Sequence, residues 1–248
     1  MITIKTEQEI EYLKRAGEIV GKTHHFLEPY IKPGITTKEL DELANDFIIS
    51  QGATPSFKGL YGYPGTICIS LNDEVVHGIA SKRKLKEGDI IKLDIGACYH
   101  GYHGDSAWSY AVGKVSNEIA NLMKYTEEAL FAGLATIHDG SHVGDIGEAI
   151  SKVAKQHHLG VVRELVGHGV GSAVHEEPDV PNYGKKGTGP ELKAGMVLAV
   201  EPMLNLGTAQ VFLLEDDWTI VTGDEKPSAH FEHTVLVTKE GYMILTKR

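Results

Sequence analysis

Two stretches of this chain read alike. Leu85 to Asp94 is LKEGDIIKLD and Leu192 to Glu201 is LKAGMVLAVE, each a Leu-Lys-x-Gly turn, an apolar-rich run and a closing carboxylate, 107 positions apart. Upstream, Ile31-Lys32-Pro33-Gly34 with Leu40 is echoed 106 positions later by Ile137-His138-Asp139-Gly140 with Ile146. Two matches at nearly one offset point to an internal duplication, which narrows the fold. Each half must build the same order of elements, with equivalent strands delivering Asp94 and Glu201 to a shared centre. The expected division is a single domain over residues 1–248, with halves of roughly 1–113 and 114–248.

The local pattern fits that frame. Apolar residues at Ile10, Leu13, Ala16, Ile19 and Val20 form a helical stripe, predicting a helix from Glu7 to about Phe26. Thr36-x-x-Glu39 is a capping box that opens a second helix, ended near Gly52. In the second half, Ser116 caps a helix running towards Ile137, and Gly144 to about His157 forms the fourth. Strands are predicted over 66–71, 90–98, 106–112, 196–203, 211–214 and 230–238. Helix pairs followed by strands predict an α+β fold with helices covering one face of a mostly antiparallel sheet.

Composition excludes several classes of function. With 34 acidic against 24 basic residues the net charge is −10, and the longest basic run is Lys82-Arg83-Lys84. Nucleic-acid and anionic-membrane surfaces need clustered cations, so neither partner is expected. The first residues, MITIKTEQEIEY, lack the apolar core of a secretory leader, and no run approaches the length of a membrane span. Cys68 and Cys98 form no CxxC pair, which argues against a disulfide scaffold or a thiolate zinc site. A cytoplasmic protein, monomeric for want of any obligate-interface signal, is the expectation.

The chemistry lies in acids placed where acids are costly. Asp94 and Asp105 flank IGACYHGYHG, whose glycines suit a tight reversal. A hairpin centred between Tyr99 and His100 would set the two carboxylates directly opposite, roughly 4.5–5.5 Å apart at Cα. Like charges so placed are destabilising, so either one Asp faces solvent or a divalent cation compensates both. Glu201 in VLAVEPML and Glu232 in SAHFEHTVLV are further acids within apolar runs, and His168 lies among glycines in GHGVG. Four carboxylates carry a charge that two divalent cations would neutralise. An oxygen-rich set with one imidazole suits manganese, iron, cobalt or zinc. Other motifs fail: Gly167-x-Gly169-x-Gly171 lacks full dinucleotide-loop spacing, His175-Glu176-Glu177-Pro178 lacks the second His of HExxH, and no P-loop or GxSxG occurs.

Taken with CISLNDEVVHGI at 68–79, GHGVGSAVHEEP at 167–178 and VEPM at 200–203, the set Asp94, Asp105, His168, Glu201 and Glu232 resembles the five-ligand signature of the methionine aminopeptidases. The likeness covers nearly the whole chain and is to their short bacterial type I form, of the pita-bread superfamily. It implies a pita-bread fold of two pseudo-symmetric halves, and a dinuclear metallo-exopeptidase that removes amino-terminal methionine from nascent polypeptides, preferring a small second residue. By the same resemblance Asp105 and Glu232 bridge two divalent cations, Asp94 completes one site, and His168 with Glu201 the other. A bridging hydroxide would attack the scissile carbonyl, with Glu201 as proton shuttle, His175 as donor to the oxyanion and His77 holding the substrate backbone. Phe57, Tyr63, Cys68, Val174 and Trp218 would line the methionine pocket, where sulfur and aromatic groups suit a thioether. Transient ribosome contact is a further implied partner. Leu60 stands where bacterial relatives often carry Tyr, and Gly96 where many carry Thr, which bears on pocket shape and on metal affinity. A proline-directed peptidase of the same superfamily shares the ligands but usually carries an extra amino-terminal domain. A non-catalytic binding module would usually have lost ligands, and this chain keeps all five.

Overall fold

The computed structural model describes residues 2–248. Four helices form where the sequence caps them. α1 spans Glu7–Leu27 and α2 spans Thr37–Ser50, each opened by a capping box, Thr6 with Glu9 and Thr36 with Glu39. α3 spans Asn117–Leu134, where Ser116 accepts from the Ile119 amide, and α4 spans Val143–Gln156. The chain leaves α3 one turn earlier than expected, so Ile137 lies in the following turn. The order of helix pair then strands runs twice, and every pairing between strands is antiparallel.

In the first half the long strand Ile90–Tyr99 pairs along one edge with Tyr102–Ala111 and along the other with Cys68–Leu71 and Thr54–Pro55. In the second half a five-stranded sheet runs in the order Tyr242–Ile244, His233–Val237, Val197–Val200, Gly167–Gly169, Glu176–Val180. α1 and α2 bury Ile19, Val20, Leu40, Ala44 and Ile48 against Ile69, Ile91, Leu93 and Ile95. α3 and α4 bury Leu130, Leu134, Ile146 and Ile150 with Leu198, Val200 and Val235.

The two sheets meet along a seam of hydroxyl groups. Thr234 Oγ1 donates to the Asp105 carbonyl at 2.7 Å and accepts from the Asp105 amide at 3.0 Å. Ser106 Oγ donates to the Glu232 carbonyl at 2.6 Å, Ser109 Oγ to the His230 carbonyl at 2.8 Å, and the Glu232 amide to the Ala107 carbonyl at 2.8 Å. Short side chains therefore satisfy the backbone groups that a sheet edge would otherwise bury unpaired. The seam sets Asp105 beside Glu232.

Two expectations about strands are corrected. The hairpin turns at His100-Gly101, not between Tyr99 and His100, so Asp105 faces Gly96 and Asp94 faces Ala107. Both turn residues take positive φ, 50° and 82°, the two-residue turn whose twist matches the flanking strands. A slip of two positions keeps every side chain on its face, so both aspartates still point the same way, as diagonal neighbours. The runs 196–203 and 230–238 each break into two strands, Val197–Val200 with Met203–Asn205 and Ser228–His230 with His233–Val237. Pro202 has no amide hydrogen to continue the ladder, and at that point the chain passes from one sheet into another. Glu201 and Glu232 therefore sit in matching breaks between sheets, not on strands.

Candidate metal centre

One cleft gathers Asp94, Asp105, His168, Glu201, Glu232, His77 and His175 in its wall. Each arrives by a different route. Asp94 is opposite Cys68 and Ala107 in the hairpin sheet. His168 lies on the strand Gly167–Gly169, opposite Ala199 of the central strand, where side chains on Gly167 and Gly169 would strike the carbonyls of Ala199 and Glu177. The glycines are thus required by close strand packing, not by the imidazole itself. Glu201 leaves its strand with its carbonyl held by Asn182 Nδ2 at 3.1 Å.

The groups converge closely. His168 Nε2 is 3.5 Å from Glu201 Oε1 and 3.8 Å from Asp105 Oδ2. Asp105, His168 and Glu232 offer ligand atoms all within 4.8 Å of one another, as do Glu201, His230 and Glu232. Asp94 belongs to neither trio, but its charge bears on both Asp105 and Glu232. Burial, and then the neighbouring acids, push Asp105 and Glu232 well above the usual carboxylate range. Burial likewise raises Asp94 to about 7 and Glu201 to about 8, while it lowers His168 to about 4. Asp94 Oδ1, Asp105 Oδ1 and Glu232 Oε1 are buried without a hydrogen-bond partner. No lysine or arginine pairs with any of the four acids among the described residues. Buried acids left in that condition fit a cation-binding centre, and the oxygen-rich donor set fits hard to borderline divalent metals.

Sequence reasoning missed His230. Its ring is fully buried, both nitrogens lack a hydrogen-bond partner, and Nε2 lies 3.3 Å from Glu201 Oε2 and 4.0 Å from Glu232 Oε2. Glu201 is thereby flanked by two imidazoles. The signal was present in SAHFEHT, where residues two apart fall on one side of an extended chain.

The remaining residues shape the entrance. His77 follows the strand Glu74–Val76 with φ of 61°, an uncommon conformation for a side chain of its size. Burial, with His230 and His175 nearby, lowers its pKa to about 4, so it is neutral at physiological pH. His175 sits edge-on to His168, ring centres 4.5 Å apart, with the exposed Tyr61 stacked near its outer side at 6.2 Å. Phe57, Tyr63, Cys68 and Val174 form a small buried cluster with Leu60, Ile79 and Trp218 against it. Tyr63 meets Trp218 edge-to-face at 5.1 Å, and its hydroxyl donates to the Gly78 carbonyl at 2.8 Å. Phe57, Leu60, Tyr63, Cys68 and Val76 supply the apolar wall of the cleft, and its far end is acidic.

Comparison with known proteins places the chain among metallopeptidases. The model of metallopeptidase family M24 matches residues 11–239. The chain is 52% identical over 247 residues to methionine aminopeptidase 1 of Bacillus subtilis strain 168, covering 100% of each. A crystal structure of methionine aminopeptidase from Thermotoga maritima superposes with a TM-score of 0.98 at 42% identity, again covering 100% of both chains. An Xaa-Pro dipeptidase from Bacillus anthracis matches with a TM-score of 0.81 at 26% identity, over 99% of this chain but 62% of the dipeptidase.

Proposed function

Since the chain belongs to metallopeptidase family M24, we propose that its cleft removes the amino-terminal methionine of nascent polypeptides. The observation that carries this reading is the meeting of five buried ligand groups with an apolar pocket in one cleft. Asp94, Asp105, His168, Glu201 and Glu232 would hold two divalent cations, with Asp105 and Glu232 shared between them. Such a pair supplies water activated at neutral pH and polarises a carbonyl.

The chain's own groups do the rest. Glu201, in the wall of the cleft beside Asp105 and His168, would take a proton and return it to the leaving amine. His175, at the rim of the acids, donates a hydrogen bond to the oxygen that gains charge as the carbonyl becomes tetrahedral. His77, held neutral, donates to the substrate backbone without repelling a cation. A thioether side chain fits among Phe57, Tyr63, Cys68, Val174 and Trp218, where soft sulfur and ring contacts favour it. A free amino terminus suits the acidic end of the cleft, and an internal peptide bond brings none, which makes the reaction an exopeptidase one. The preference for a small second residue is assigned to the part of the cleft wall formed by His175.

The test is hydrolysis of Met-Ala-Ser by chelator-treated protein supplied with manganese or cobalt. Release of free methionine, with slower cleavage when the second residue is bulky, is the expected result. No turnover with either metal would contradict the reading, as would faster cleavage of X-Pro dipeptides.

A further inference from the structure

The segment that carries His175 is held from outside the cleft by the first residues of the chain. Residues 171–175 loop out between the strands Gly167–Gly169 and Glu176–Val180, and their conformation is organised around the Glu176 side chain. Glu176 Oε1 accepts from the Ala173 amide at 3.2 Å and from Ser172 Oγ at 3.4 Å. Its other oxygen accepts from Lys5 Nζ at 2.5 Å and from Thr3 Oγ1 at 3.2 Å. Lys5 Nζ also contacts Thr3 Oγ1, and the Lys5 amide donates to the Gly195 carbonyl at 2.9 Å. The ion pair is sheltered, with side chains 5% and 15% exposed. Gly171 is part of this arrangement: a Cβ there would strike both Glu176 Oε1 and Lys5 Nζ.

We propose that Lys5 is a positioning residue for His175, acting through Glu176. Because the carboxylate is next in sequence to His175 and holds the Ala173 amide and the Ser172 hydroxyl, its location sets where the imidazole stands. Lys5 supplies the only cation paired with that carboxylate among the described residues. Without it, a sheltered charge must seek water, and the loop moves with it. Displacement of a catalytic group by about 1 Å can cost about 100-fold in rate. The proposal rests on the reading of His175 as oxyanion donor, so the two must be separable by experiment.

The test is a double-mutant cycle on the metal-loaded enzyme with Met-Ala-Ser. Lys5→Met should lower kcat and kcat/KM together by about tenfold or more, the pattern of an interaction made in the transition state. Lys5→Arg should keep most of the activity. Cation stoichiometry should be unchanged in both, measured on the protein itself by calorimetry. In a His175→Ala background, Lys5→Met should cause little further loss, since the group it positions is gone. The same tenfold loss in that background, reduced cation binding in Lys5→Met, or full activity of Lys5→Met beside an impaired His175→Ala would overturn the role of Lys5 alone. Full activity of His175→Ala would instead overturn the oxyanion reading, and this proposal with it.

Discussion

Gly96 illustrates how a single position ties the hairpin to the pocket. It pairs with Asp105, and a Cβ built on it would come within 2.6 Å of Phe57 Cε1 and 2.8 Å of Ser56 Cβ. The Phe57 ring thus occupies the space that a side chain at 96 would fill, and the two residues are coupled through one volume. Gly96→Thr should destabilise the protein by about 1–3 kcal/mol, the usual effect of overpacking a rigid site. Adding Phe57→Ala should recover part of that loss, and denaturant unfolding of the two single variants and the pair measures the coupling. Additive effects would show that the two side chains do not compete. Tyr61 and His77 are further residues whose positive φ stands out at the cleft mouth, and no residue-by-residue reading of propensity would have marked either backbone.

At the scale of elements, α1 is fastened to the hairpin by a buried histidine. His24 Nε2 is 2.9 Å from the Ser106 carbonyl and Nδ1 is 3.0 Å from the Tyr110 hydroxyl, so a neutral ring donates to the first and accepts from the second. Burial above all lowers its pKa to about 3. A folded-state value below the ordinary 6.5 means that this group's stabilisation is complete above pH 6.5. It is lost as pH falls from 6.5 towards 3, at about 1.4 kcal/mol per pH unit. Between pH 7.5 and 5.0 the parent protein should therefore lose about 2 kcal/mol that His24→Leu does not lose, read by urea unfolding at each pH. Equal pH slopes would refute the assignment. Much of this architecture was legible beforehand, because capping at Thr36 and Ser116 and apolar spacing are local signals. The hairpin register was not, since the choice between turning at Tyr99-His100 or His100-Gly101 depends on which residues accept positive φ. Nor were the breaks at Glu201 and Glu232, which follow from sheets meeting in space. The acids themselves were conspicuous because apolar runs rarely hold them, while His230 hid beside Glu232 as an ordinary strand residue.

The whole molecule brings two apolar cores together across a seam bridged by hydroxyl hydrogen bonds and by the Trp108–Phe231 ring contact, and places four acids where they meet. Among the described residues no helix is long and apolar enough to cross a membrane. The net charge of −10 favours the approach of cations over anions. Folding without metal forces the acids into protonated or mutually repelling states, so cation binding should also stabilise the fold by mass action. The most direct measurement is titration of chelator-stripped protein with manganese or cobalt, following bound metal by calorimetry and the shift in Tm. The expected result is two cations per chain and a raised Tm, with Asp105→Asn retaining fold but losing most of both. Failure to bind either metal, or an Asp105→Asn variant that binds and is stabilised like the parent, would contradict the claim that cations are what these acids are gathered to hold.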